Sequence, residues 1–132
     1  IDEIRRKLKD VKFYPLVYFE AGSPGYTRGR GSLTHDLIAL AGGKNLARNE
    51  PVVFPILSQE YIIAENPDII VAEEYGAKIE EIKKRDGWQN IKAVRNNRIY
   101  KAPVYFTNYT PRCIEGLEQF ARWFHSEVFN EN

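Results

Sequence analysis

Apolar positions along this chain alternate between helix-spaced stripes and short unbroken β-branched runs. Residues 58–72, Ser-Gln-Glu-Tyr-Ile-Ile-Ala-Glu-Asn-Pro-Asp-Ile-Ile-Val-Ala, show both in one stretch. Ser58 is placed to cap a helix by accepting from an orphan N–H two or three residues on. Glu60 falls in its first turn, where the helix dipole favours a carboxylate. Asn66-Pro67-Asp68 ends the helix, because the residue before a proline is pushed out of the α region. Ile69-Ile70-Val71 then lacks alternation, the mark of a strand buried on both faces.

The same theme runs through the rest of the sequence. Residues 1–10 carry only Ile4 and Leu8 on one face and predict the last turns of a helix whose partner surface lies elsewhere. Tyr14–Glu20 predicts a strand entered through Pro15. A glycine-rich loop over 21–31 leads to Ser32, the cap of a helix with Leu33, Leu37, Ile38, Leu40 and Ala41 on one side and Gly42-Gly43 at its end. Residues 44–57 predict an irregular connector stiffened by Pro51 and Pro55, with Phe54 between them as either a core plug or a presented aromatic. Ala77–Arg85 predicts an exposed helix held by ion pairs such as Glu80 with Lys84, sealed against the sheet by Trp88 and Ile91. Asn96-Asn97 turns into a strand over 98–102 with Ile99 inward. After an aromatic loop over 103–109, Thr110 is the expected cap and Pro111 the first residue of a last helix, striped by Leu117, Phe120, Ala121 and Phe124.

Helices and strands in alternation predict an α/β fold: a three-layer α/β/α sandwich around a mainly parallel sheet, Rossmann-like in architecture. Ligands of such sheets bind outside the carboxyl ends of the strands. The aromatic loops over 21–31 and 103–110 both follow strands, which predicts an aromatic-lined binding edge.

Composition narrows the function. Within 132 residues, 19 Lys and Arg stand against 18 Asp and Glu, a net charge of +1, so nucleic-acid binding through bulk positive charge is not expected. Cys113 is the single cysteine, which excludes an intrachain disulfide and a cysteine-based zinc cluster. No apolar run approaches the ~20 residues that span a bilayer. The sequence opens Ile-Asp-Glu without Met, as a processed or excised piece does, with any export signal upstream. The aromatics (8 Tyr, 7 Phe and 2 Trp) concentrate partly in Gly/Pro-rich loops, as on a binding surface. The glycine-rich loop has neither Gly-x-Gly-x-x-Gly nor a P-loop pattern, and Tyr26 within it either packs down or is presented. His35 and His125 are too few for an evident metal site, and no Gly-x-Ser-x-Gly elbow is present.

Several stretches together carry a family resemblance. They are Val-Tyr-Phe-Glu-Ala-Gly with its glycine-rich loop, Asp36-Leu-Ile-Ala-Leu-Ala-Gly-Gly-Lys-Asn-Leu46, Ser58-Gln-Glu60, and Asn66-Pro-Asp-Ile-Ile70. They continue through Trp88, Ile91–Tyr100, Pro111-Arg, Glu115-Gly-Leu117 and His125–Phe129. In order and spacing the chain resembles the extracytoplasmic substrate-binding proteins of ABC importers for iron–siderophore complexes, haem and cobalamin. Such proteins are two α/β lobes joined by a long helix, with the ligand held between them. The resemblance implies that residues 1–132 are the carboxyl-terminal lobe, that 1–10 end the preceding interlobe helix, and that the amino-terminal lobe lies outside this sequence with the signal or lipid anchor.

Carried over by residue, the resemblance places the cleft at Tyr26, Arg28, Phe54, Tyr105, Phe106, Thr107, Asn108 and Tyr109. Aromatics suit a chelate or macrocycle because they cover broad apolar and π faces at low side-chain entropy. Arg28 and Arg30 either pair with an anionic ligand group or remain solvated loop charges. Glu60, in the Ser-x-Glu turn, corresponds to the family's contact with an arginine of the permease, a role compatible with stabilising its own helix. The expected activity is non-catalytic: capture of an iron chelate or tetrapyrrole and delivery to the permease, with no cofactor and no protein metal ligand. The competing readings are a metal-ion-binding lobe of the zinc/manganese type and a small α/β enzyme. An uncovered aromatic half-cleft also implies possible self-association of an isolated lobe.

Overall fold

The computed structural model describes residues 2–108 and 111–129. Four strands, β1 (Leu16–Glu20), β2 (Lys44–Asn45), β3 (Ile69–Glu73) and β4 (Ile99–Ala102), form one sheet in the order β2-β1-β3-β4. Every pairing is parallel, with Val17 opposite Ile69 and Ile70 opposite Ile99. The expected three-layer α/β fold is therefore present, and both central strands are hydrophobic on both faces, as their unbroken runs predict.

Alternate residues of the central strands feed two cores. Val17, Phe19, Ile69 and Val71 face α1 (Asp2–Leu8), α2 (Leu33–Leu40), α6 (Cys113–Phe124) and α7 (Ser126–Phe129). Tyr18, Ile70 and Ala72 face α3 (Gln59–Glu65), α4 (Ile79–Lys83) and α5 (Lys92–Arg95), where Ile62, Ile82, Trp88 and Ile91 are buried. The α6 stripe of Leu117, Phe120, Ala121 and Phe124 is buried as its spacing predicts.

Local chemistry sets the boundaries. The Ser32 hydroxyl accepts from the His35 N–H at 3.0 Å and the Ser58 hydroxyl from the Tyr61 N–H at 3.1 Å, so both predicted caps form. Asn66 closes α3 in the left-handed conformation, φ 58°, and its side chain accepts from the Lys92 N–H. Pairing with Leu16 and Val17 makes a short edge strand of Lys44-Asn45 inside the expected irregular connector. Glu80 pairs with Lys83, at 3.7 Å, rather than with Lys84. Leu40, the last residue of α2, is exposed rather than part of the buried stripe. The last helix begins at Cys113 after an Arg112 cap residue, so Pro111 precedes it by a turn; Thr110 lies outside the described residues.

Candidate functional site

With all strands parallel, the segments after β1, β2, β3 and β4 leave from one edge of the sheet. The chain runs from β1 through α2 to one side and from β3 through α4 to the other, on opposite faces. The reversal lies between β1 and β3, the place where open α/β sheets form a ligand crevice.

The floor of this edge is a buried polar cluster. Glu20, the last residue of β1, is 1% exposed and accepts from both Arg85 amino groups at 2.7 and 2.8 Å. The Tyr18 hydroxyl donates to Glu20 at 2.9 Å and accepts from the Gly25 N–H at 2.8 Å. Burial, then the nearby Glu20 carboxylate, push the Tyr18 phenol well above the usual tyrosine range. Burial opposes the Arg85 charge, but the hydrogen bonds and field of Glu20 outweigh it and hold the guanidinium above its ordinary value. The cluster thus anchors the glycine-rich loop to the core. Neither partner announces this in sequence, since Glu20 and Arg85 stand 65 residues apart.

The glycine-rich loop and the Pro51–Pro55 connector lie side by side as an irregular antiparallel ribbon. Thr27 and Gly29 N–H groups donate to Pro55 and Val53 carbonyls, Leu57 N–H donates to Gly25, and Tyr26 bridges Ile56. Gly29 must lack a side chain there, because a Cβ would collide with the Val52 carbonyl oxygen. The ribbon settles the open alternatives for both rings. Phe54 is presented, 69% exposed, and Tyr26 is 47% exposed. The Arg28 guanidinium lies 4.8 Å from the centre of the Phe54 ring, a cation–π contact that pre-positions its charge. Arg30 is exposed and bonds the Glu50 carbonyl only through its backbone N–H.

Arg28, Ser32, Thr34, Phe54, Thr107 and Asn108 line a cavity of about 320 Å³ at this edge. It joins the loops after β1, β2 and β4, so four of the sequence-derived residues, Arg28, Phe54, Thr107 and Asn108, converge, while Tyr26 stands outside its lining. Phe106 does not join them. The turn over Val104–Thr107 is a 3-10 helix, which rotates Phe106 inward to 8% exposure, edge-on to Phe120 at 6.4 Å. Tyr105 is half-buried beneath Arg112, whose guanidinium is 3.9 Å from its ring and bonds Glu115. That bond from Arg112 holds the Glu115 carboxyl below its usual range. Tyr109 lies outside the described residues. Glu60 is exposed in the first turn of α3, which starts where the connector leaves this same edge.

Two other hollows, of about 260 and 390 Å³, lie at the opposite edge, beside Tyr14 and Leu40 and beside Phe13 and Arg98. Strand carboxyl ends are absent from both, so neither is the expected ligand position. Among the described residues, no group of three or more His, Cys, Asp or Glu could hold a metal ion. His35 instead faces the Asn45 side chain at 3.1 Å, and buried His125 faces the Gly42 carbonyl at 2.8 Å.

Comparison with known proteins agrees with this arrangement. The chain is 34% identical over 107 residues to an uncharacterised ABC transporter substrate-binding lipoprotein of Bacillus subtilis, covering 80% of this chain and 33% of that protein. It is 31% identical over 107 residues to the high-affinity haem uptake system protein IsdE of Staphylococcus aureus, covering 74% and 37% respectively. The structure of Helicobacter pylori CeuE with Ni(II) bound superposes with a TM-score of 0.90 at 25% identity, over 99% of this chain and 44% of that one. The chain thus spans about a third of the length of the curated relatives it matches, and these relatives are binding and uptake proteins rather than enzymes. The sequence signature described as "Periplasmic binding protein" matches residues 1–105, and the chain belongs to that family.

Proposed function

We propose that this chain is the carboxyl-terminal lobe of the substrate-binding component of an ABC importer, and that it captures a ferric siderophore, haem or a cobalamin-type ligand outside the cytoplasm. The observation that carries the reading is the Arg28–Phe54 stack beside the 320 Å³ cavity at the sheet's carboxyl edge. A presented ring offers a large rigid contact area, and a guanidinium held over it adds an anion-pairing group at little further ordering cost. Kinship to a haem uptake protein supports the ligand class. The metal of such a cargo is held by the chelate itself, and the residues of the lobe contact the chelate's periphery. Glu60 docks the permease in this reading, through a complementary cation.

Fluorescence quenching tests the proposal. The full-length protein is titrated with haemin, a ferric hydroxamate, a ferric catecholate, cobalamin and zinc chloride. Saturable quenching by one chelate, with affinity lowered roughly fivefold or more in Phe54→Ala, is the expected result. A response to zinc alone, or to none of them, overturns it.

A further inference from the structure

The segment after β3 holds a feature that the family resemblance did not carry over. Tyr75 is 82% exposed, yet the turn that bears it is tightly held. The Lys101 ammonium reaches across from β4 and donates to the Glu73 and Ala77 carbonyls, both at 2.7 Å. The Gly76 N–H donates to the Glu73 carbonyl at 3.0 Å. A Cβ on Gly76 would stand 2.8 Å from the Gly22 carbonyl oxygen, so this turn abuts the start of the glycine-rich loop. Burial lowers the Lys101 amine from its ordinary range, a cost accepted to close the turn. The clamp fixes the backbone that presents the ring, so the ordering cost left on contact is that of the side chain.

Tyr75 therefore stands on the β3 side of the crevice between β1 and β3. From this geometry we infer that Tyr75 is a ligand-contacting, specificity-determining residue, presented to an apolar or aromatic face of the cargo. A ring presented in this way gains most from an apolar or aromatic face and little from a bare ion or small oxyanion. This inference rests on the proposed cleft and deepens it by adding a contact residue outside the family resemblance.

The experiment uses the full-length protein and whichever of haemin, ferric hydroxamate, ferric catecholate or cobalamin saturates it, with molybdate as a small-anion probe. Binding is measured for the wild type, Tyr75→Ala, Tyr75→Phe and Phe54→Ala, with Phe13→Ala as an exposed aromatic at the far edge. Tyr75→Ala should weaken the chelate roughly fivefold, Tyr75→Phe should stay within about twofold, and Phe13→Ala should not change it. Wild-type affinity in Tyr75→Ala, with loss in Phe54→Ala, overturns the role of Tyr75 and leaves the cleft reading standing. Saturation by molybdate alone, or by no probe, overturns both the role of Tyr75 and the cleft reading.

Discussion

Removing the Arg85 guanidinium would leave the Glu20 carboxylate 1% exposed with the Tyr18 hydroxyl beside it. Stranding one partner of a buried pair costs about 3–5 kcal/mol, so Arg85→Ala should lower unfolding stability by that order in a urea titration. The comparison is Lys92→Ala. Lys92 meets Asp68 at 3.2 Å with 44% of its side chain exposed, and a solvated pair of this kind is worth under about 1 kcal/mol. A loss in Arg85→Ala no larger than that in Lys92→Ala would show that the cluster is not needed for stability. Because the Gly25 N–H hangs from the same phenol, the Arg85 variant should also loosen the glycine-rich loop and with it the seat of Tyr26.

Between elements, the closest approach that a substitution can test is α6 on the turn over Val104–Thr107. An Ala Cβ at Gly116 would sit 2.5 Å from the Phe106 carbonyl oxygen and 2.7 Å from its Cβ. In an open helix Gly→Ala gains about 1 kcal/mol; here the clash is with backbone, and overpacking of 1–3 kcal/mol opposes the gain. Gly116→Ala is expected to lower the thermal midpoint, and a raised midpoint would refute the contact. This pairing also shows why some of the site was hidden in the sequence. Caps and buried strands were legible because Ser32, Ser58 and the Ile69–Val71 run act locally. The two-residue β2 exists only through its pairing with β1, so no local pattern marks it. Phe106 reads as a loop aromatic until the 3-10 turn rotates it onto Phe120. Tyr75 has no periodicity at all, and its exposure is imposed by Lys101 from another strand. Tyr26, Arg28 and Phe54 were recognised through family resemblance, while the ribbon that presents them is made of backbone hydrogen bonds that side-chain chemistry does not encode.

At the scale of the whole molecule, the parallel sheet puts the loops after β1, β2 and β4 and the start of α3 on one edge. If Glu60 is the docking residue, Glu60→Arg should leave chelate affinity unchanged in solution and cut uptake by cells about tenfold, since like charges at an interface cost both encounter and fit. Equal losses of affinity and uptake would instead make Glu60 part of the binding site, and undiminished uptake would remove it from docking. The shared edge has a consequence for traffic. If the proposed docking and cargo sites are both right, a body seated over the amino end of α3 would also overhang the mouth through which cargo arrives, and entrance and exit would be one doorway. On that reading loading would precede docking, and a receptor already moored empty would be shut to its own cargo.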